Sequence, residues 1–160
     1  METTVSLLEM LDARERRVHH QQELQAKYHT PLVCFTMNIA GPVKISPLIR
    51  RGFARGRELL ERQLMRCKIK SLQVDVVREN TGCEAFYMLD AAPLTVKKIT
   101  AAIEDATPLG RLFDMDVLRP DGAKVDREEL HLEGRKCLIC GGPAKVCSSR
   151  RIHPVAELQA

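Results

Sequence analysis

The order in which hydrophobic periodicities follow one another constrains this chain more than any other feature of its sequence. Pro31 to Ala40 is short, apolar and rich in β-favouring residues, and it closes on Gly41-Pro42, which predicts a buried strand. Ser46-Pro47, an N-cap residue followed by proline at the first helical position, opens a helix that the pattern carries to about Met65. Lys68 to Arg78 alternates in part through Ile69, Leu72, Val74 and Val76, and Cys83 to Ala91 is apolar. Asn80-Thr81-Gly82 between these runs predicts a hairpin. Val96, Ile99 and Ile103 place a helix over Pro93 to Ala106, Pro108 ends it, and a strand follows from Leu112 to Leu118 before a turn at Pro120-Asp121-Gly122.

Strand, helix, strand, strand, helix, strand is the order of the ferredoxin-like plan, an antiparallel sheet with two helices on one face. A nucleotidyltransferase-like core with a mixed sheet shares the same element string in another strand order. Leu7, Leu8, Leu11, Val18 and Leu24 recur at helical spacing and predict an amphipathic helix that ends before Pro31 and packs on the rest. The expected class is therefore α+β, with residues 1–136 as a single domain and 137–160 as a Cys-rich tail packed on it.

At 160 residues and 44% hydrophobic, the chain has the material for one core. Its longest stretch without Asp, Glu, Lys or Arg, Tyr28 to Val43, is 16 residues, whereas a spanning helix needs about 20. No membrane partner is expected. The N-terminus lacks a basic region ahead of an unbroken apolar run, because Glu9, Asp12 and Arg14 interrupt it, so the expected location is cytoplasmic. The six cysteines then read as reduced thiols or metal ligands.

The net charge of +4 is unevenly spread: Lys44 to Lys70 carries nine Lys/Arg against two Glu, a local +7, which leaves −3 elsewhere. Four Phe, two Tyr and no Trp give little with which to stack bases, so no nucleic-acid partner is expected, and a phosphate-bearing small molecule fits the basic segment as well. On a helical wheel Arg51, Arg55, Arg62 and Arg66 share one face, read as solvated, and Ile49, Phe53, Leu60 and Leu64 share the opposite one. Arg50 and Arg57 lie on a flank. Lys44, in Gly41-Pro42-Val43-Lys44 just ahead of the helix, combines with the helix N-terminus as an anion cradle.

The most informative residues are Gly110-Arg111-Leu112-Phe113-Asp114-Met115-Asp116-Val117. Side chains two apart on a strand share a face, so Asp114 and Asp116 project together while Phe113, Met115 and Val117 point the other way. Two such acids repel unless a cation joins them, and hard oxygen ligands suit Mg²⁺ or Mn²⁺. Metal-bridged carboxylates are the chemistry of phosphoryl and nucleotidyl transfer, with Gly110 allowing close backbone approach to a phosphate and Arg111 contacting it bidentately. The plain alternative is an edge strand whose acids face water.

In the tail, Cys137, Cys140, Cys147 and His153 follow the spacing Cys-x2-Cys-x6-Cys-x5-His, that of a zinc knuckle; the alternative is free, partly buried thiols. A non-enzymatic zinc-knuckle module that binds nucleic acid through the Arg-rich helix is the corresponding functional rival. His19, His20, His29 and His131 read as surface or packing residues, and Cys34, Cys67 and Cys83 as small core residues.

The octapeptide at 110–117, the Cys137, Cys140, Cys147 tail, Pro31-Leu32-Val33 and Gly41-Pro42-Val43-Lys44 together resemble the citrate lyase holo-acyl-carrier-protein synthase family, also called apo-citrate lyase phosphoribosyl-dephospho-CoA transferase. The octapeptide is also similar to that of the corresponding malonate decarboxylase enzyme. The resemblance implies a nucleotidyltransferase that joins 2'-(5''-triphosphoribosyl)-3'-dephospho-CoA through a phosphodiester to a serine of the citrate lyase acyl carrier protein (γ subunit), releasing diphosphate. This agrees with the reading of the residues, in which Asp114 and Asp116 form the catalytic metal site, Gly110, Arg111, Lys44, Arg50 and Arg57 lie near the substrate phosphates, and Asp126 and Asp90 are the candidates for a third carboxylate. Metal analysis of the purified protein tests the tail: one zinc per chain is expected from the knuckle spacing, and its absence leaves the free-thiol alternative.

Overall fold

Local chemistry at each boundary sets where the elements begin. Ser6 Oγ accepts a hydrogen bond from the Glu9 amide while the Glu9 carboxylate accepts from the Ser6 amide, a capping box that opens α1 (Leu7–Tyr28). His29 ends it in the left-handed conformation with φ of 55°. Ser46 caps Ile49 and Pro47 follows at the start of α2 (Pro47–Arg66), and Pro93 opens α3 (Pro93–Ala106). The strands are β1 (Leu32–Met37), β2 (Lys70–Glu79), β3 (Gly82–Asp90) and β4 (Phe113–Leu118). These elements come from a computed structural model that describes residues 4–130.

The four strands form one sheet in the order β2-β3-β1-β4, with every neighbouring pair antiparallel. One face, lined by Val33, Phe35, Ala85, Tyr87, Leu89, Phe113, Met115 and Val117, carries the main core with Phe53, Leu60 and Leu64 of α2 and Val96 and Ile103 of α3. The other face meets α1, where Leu24 and Tyr28 pack on Leu32, Cys34, Phe86 and Met88. Central β1 is buried on both faces from Leu32 to Phe35, as its unbroken apolar run requires, whereas β4 alternates buried and half-buried residues. Among the described residues no helix is long and apolar enough to cross a membrane.

Three expectations need correction. Of the five apolar residues that defined α1, only Leu24 is buried; Leu7, Leu8, Leu11 and Val18 are exposed. The helix turns Ala13, Arg17, His20 and Leu24 toward the sheet, and two of those are polar because the sheet there presents Glu84 and Asp75. Cys67 is exposed rather than in the core, since it caps the end of α2. The first strand stops at Met37 instead of Ala40, because Asn38 leaves the ladder to donate to the Leu112 carbonyl.

Gly56 marks the closest approach of α2 to the sheet. A Cβ there would stand 2.4 Å from Phe35 Cζ and 3.0 Å from Phe113 Cε1. The Phe35 ring is fixed by stacking on Phe53 and by an edge contact with Phe113. Gly56→Ala is therefore expected to destabilise the fold by about 1–2 kcal/mol, overpacking outweighing the helix-propensity gain. Thermal or urea unfolding checks this, and an unchanged midpoint would show that the ring yields.

Candidate active site

Asp114 and Asp116 sit on β4 with the period expected of a strand, facing the α1 side of the sheet. The register places Asp114 opposite Thr36 and Asp116 opposite Cys34 of β1, and Thr36 is in turn opposite Glu84 of β3. Asp114, Thr36 and Glu84 thus form one row across three strands. The α1 helix is anchored over β2 and β3, through Arg17 to Glu84 (2.6 Å), His20 to Asp75 (2.8 Å) and Tyr28 to Gln73 (2.7 Å). It leaves the acids of β4 half-exposed, and its Gln25 amide reaches the Arg119 carbonyl just past the strand's end at 3.0 Å.

The pair is electrostatically strained. Burial first, then the Asp116 charge, the Glu104 charge and a hydrogen bond between the two carboxyls, push the Asp114 pKa up to about 6, and Lys124 opposes the rise. Lys124 Nζ lies 3.0 Å from Asp116 Oδ1, a protein cation against the acid pair. Glu104, nearly fully buried on α3, accepts a hydrogen bond at 2.9 Å from the amide of Met115, the residue between the two acids. Arg127 holds that carboxylate at 2.8 Å. Lys97, on the same side of α3, is buried, which pulls its pKa down, while Glu104 and Asp116 act to raise it.

Among the described residues no three or more His, Cys, Asp or Glu side chains converge on a metal position. Two carboxylates whose charges crowd each other in this way nevertheless suit Mg²⁺, which is commonly held by one or two carboxylates with substrate phosphates completing its shell. The donor set fits.

The other candidates from sequence divide by place. Lys44 lies in the β1–α2 loop, against the β2–β3 turn and at the same end of the sheet as Asp114; burial lowers its pKa, and its Nζ donates to the Ile39 carbonyl. Gly110 is buried in a single 3-10 turn, Leu109–Leu112, that leads into β4, with Arg111 exposed beside it. A Cβ at Gly110 would meet the Ile103 carbonyl oxygen at 2.5 Å and that of Glu104 at 2.7 Å, so the fold itself requires glycine there. Arg50, exposed on the first turn of α2, is near enough to Cys83 to lower a thiol pKa that burial raises. Arg57 donates to the Tyr87 hydroxyl at 3.0 Å and to Glu61 at 3.1 Å, on the sheet face opposite the acid pair.

The two third-acid candidates differ in place. Asp90 ends β3 beside Lys70, at the far end of the sheet, whereas exposed Asp126 acts on Lys124, the lysine paired with Asp116. Glu104 is the additional carboxylate that acts on Asp114, and sequence reasoning missed it. Its signal was a Glu one residue after Ile103, on the inner side of a helix read only for its apolar residues. Arg17, Glu84 and Lys124 were missed because nothing local marks them. Cys137, Cys140, Cys147 and His153, with His131, lie outside the described residues.

The family model described as apo-citrate lyase phosphoribosyl-dephospho-CoA transferase matches residues 5–160. A probable apo-citrate lyase phosphoribosyl-dephospho-CoA transferase of Vibrio cholerae serotype O1 is 34% identical over 158 residues, 98% of this chain and 89% of the relative. The enzyme of that name from Citrobacter koseri is 33% identical over 154 residues, 96% of this chain and 84% of the relative. A Haemophilus influenzae protein named CitXG is 32% identical over 154 residues; there the match spans 96% of this chain and only 33% of the relative.

The raised pKa of Asp114 has a consequence for stability. The folded state binds the Asp114 proton more tightly than the unfolded chain does, so ionisation opposes folding: the penalty is absent below about pH 3.8, grows toward pH 6 and is complete above it. Asp114→Asn, neutral at every pH, is expected to raise the melting temperature at pH 7.5 by roughly 3–8 °C and to bring no gain at pH 3.5. Calorimetry at the two pH values checks this; an unchanged or lower melting temperature at pH 7.5 would mean the pair is not strained.

Proposed function

Because the chain belongs to the apo-citrate lyase phosphoribosyl-dephospho-CoA transferase family, we propose that it joins 2'-(5''-triphosphoribosyl)-3'-dephospho-CoA to a serine of the citrate lyase acyl carrier protein (γ subunit) and releases diphosphate. The observation that carries the reading is the half-exposed Asp114–Asp116 pair, poised at the open side of the sheet with the Asp114 pKa raised. A Mg²⁺ or Mn²⁺ held there would supply neutralisation of charge on the α-phosphate and on the departing diphosphate. The residues of this chain do the rest by position.

Asp114 and Asp116 would hold the cation, and Glu104 fixes the strand between them by accepting the Met115 amide hydrogen bond. The carrier serine Oγ attacks the α-phosphorus in line, the bond from that phosphorus to the bridging oxygen breaks, and diphosphate leaves with the bonding electrons. The serine proton passes to a carboxylate oxygen of the site. Since the nucleophile belongs to the carrier, the chain needs none of its own, which agrees with buried thiols at Cys34 and Cys83 whose pKa values burial raises. The strand order β2-β3-β1-β4, antiparallel throughout, supports the ferredoxin-like arrangement over a mixed nucleotidyltransferase-like sheet.

The test is the intact mass of the carrier after incubation with this protein, the triphosphoribosyl precursor and Mg²⁺. A gain equal to the prosthetic group is expected. Asp114→Asn and Asp116→Asn are each expected to slow transfer beyond the roughly 10–100-fold typical of outer-shell partners, with the fold intact. No mass gain with wild-type protein contradicts the function, and wild-type rate in either variant contradicts the role of the pair. Modification of a malonate decarboxylase carrier instead would reassign the acceptor.

A further inference from the structure

We propose that Arg17 is a phosphate-binding residue of this site, its guanidinium gripping the part of the substrate's polyphosphate that lies away from the acid pair, with Glu84 as the residue that positions it. The proposal rests on the functional reading above for the identity of the substrate, but not for the existence of the anion site.

The geometry begins with the row Asp114, Thr36, Glu84. Glu84 lies two strand spacings from Asp114, roughly 10 Å, with Thr36 between them. Arg17 comes down from α1 onto the Glu84 end of that row. Its side chain is 25% exposed and that of Glu84 17%, so the guanidinium is half-buried against the sheet, its Nε covered. The contact runs through Nε, 2.6 Å from Glu84 Oε2, as an ion pair without a hydrogen bond at Nε. Holding the group by that edge leaves both Nη nitrogens, the paired donors that match a phosphate, to another acceptor.

A second observation ties Arg17 to the acid pair. The buried Cys34 thiol, directly opposite Asp116 in the register, is acted on by Arg17, Glu84 and Asp116 together. The guanidinium and the acid pair therefore look onto the same stretch of β1. The arrangement splits charge in the way a polyphosphate needs: a carboxylate pair for a metal at one end, a fixed guanidinium at the other. Two basic residues expected near the phosphates are committed elsewhere, Lys44 to the Ile39 carbonyl and Arg57 to Tyr87 and Glu61 on the opposite face.

The experiment compares wild type, Arg17→Gln and the double variant Arg17→Gln/Glu84→Gln, which leaves no unpaired carboxylate and so decides the matter should the single variant misfold. Two quantities are read: affinity for inorganic tripolyphosphate with Mg²⁺ by calorimetry, and KM for the triphosphoribosyl precursor. Both variants are expected to bind tripolyphosphate roughly 10–100-fold more weakly than wild type, with KM raised by a similar factor and kcat changed less. A folded double variant that keeps wild-type affinity and KM would overturn the proposal, reducing Arg17 to a tie between α1 and the sheet. So would a wild-type protein that does not bind tripolyphosphate. If wild type binds it through Arg17 yet transfers nothing to the carrier, the phosphate site stands and the functional reading falls.

Discussion

Two carboxyls two residues apart on a strand cannot avoid each other, and the site depends on that repulsion. On β4 the period of two puts Phe113, Met115 and Val117 into the main core, so Asp114 and Asp116 have no other face to occupy. Burying β4's apolar set therefore forces the acids together. The cost appears as the raised pKa of Asp114 and as the recruitment of Lys124 to Asp116. Strain of this kind has no value for folding, and it is what the proposed divalent cation would relieve.

The rest of the fold holds that strand still. Gly110 lets the chain pass against the carbonyls at the end of α3, and the same helix places Glu104 against the Met115 amide, at the point where β4, as an edge strand, has a donor without a partner in the sheet. Arg127 then satisfies the buried carboxylate. On the other side, α1 is displaced toward β2 and β3 by His20–Asp75 and Arg17–Glu84, which leaves open the strip of sheet in front of the acids. A more apolar underside to α1 would have drawn the helix over them.

What was readable in the sequence follows from the range of the forces involved. The helix over Pro93–Ala106 and the strand through Leu118 come from local periodicity and proline punctuation, and the structure places them within a residue of expectation. The acid pair was readable because its logic is one strand long. Glu104, Lys124 and Arg17 were not, since each reaches the site from an element distant in sequence, and their pairing depends on the strand order and on which face α1 takes. The α1 stripe misled for a related reason: Leu7, Leu11 and Val18 have helical spacing, yet the sheet beneath that helix is polar where Arg17 and His20 meet it. Gly110 reads in the sequence as room for a phosphate, whereas the carbonyls of Ile103 and Glu104 already require it.

The central claim is that Asp114 and Asp116 together bind a divalent cation at a phosphate. Its most direct test is thermal unfolding in diphosphate with and without millimolar Mg²⁺. The account predicts that Mg²⁺ raises the melting temperature of the wild-type protein and leaves Asp114→Asn and Asp116→Asn unmoved. An equal rise in all three proteins, or none in the wild type, would contradict it.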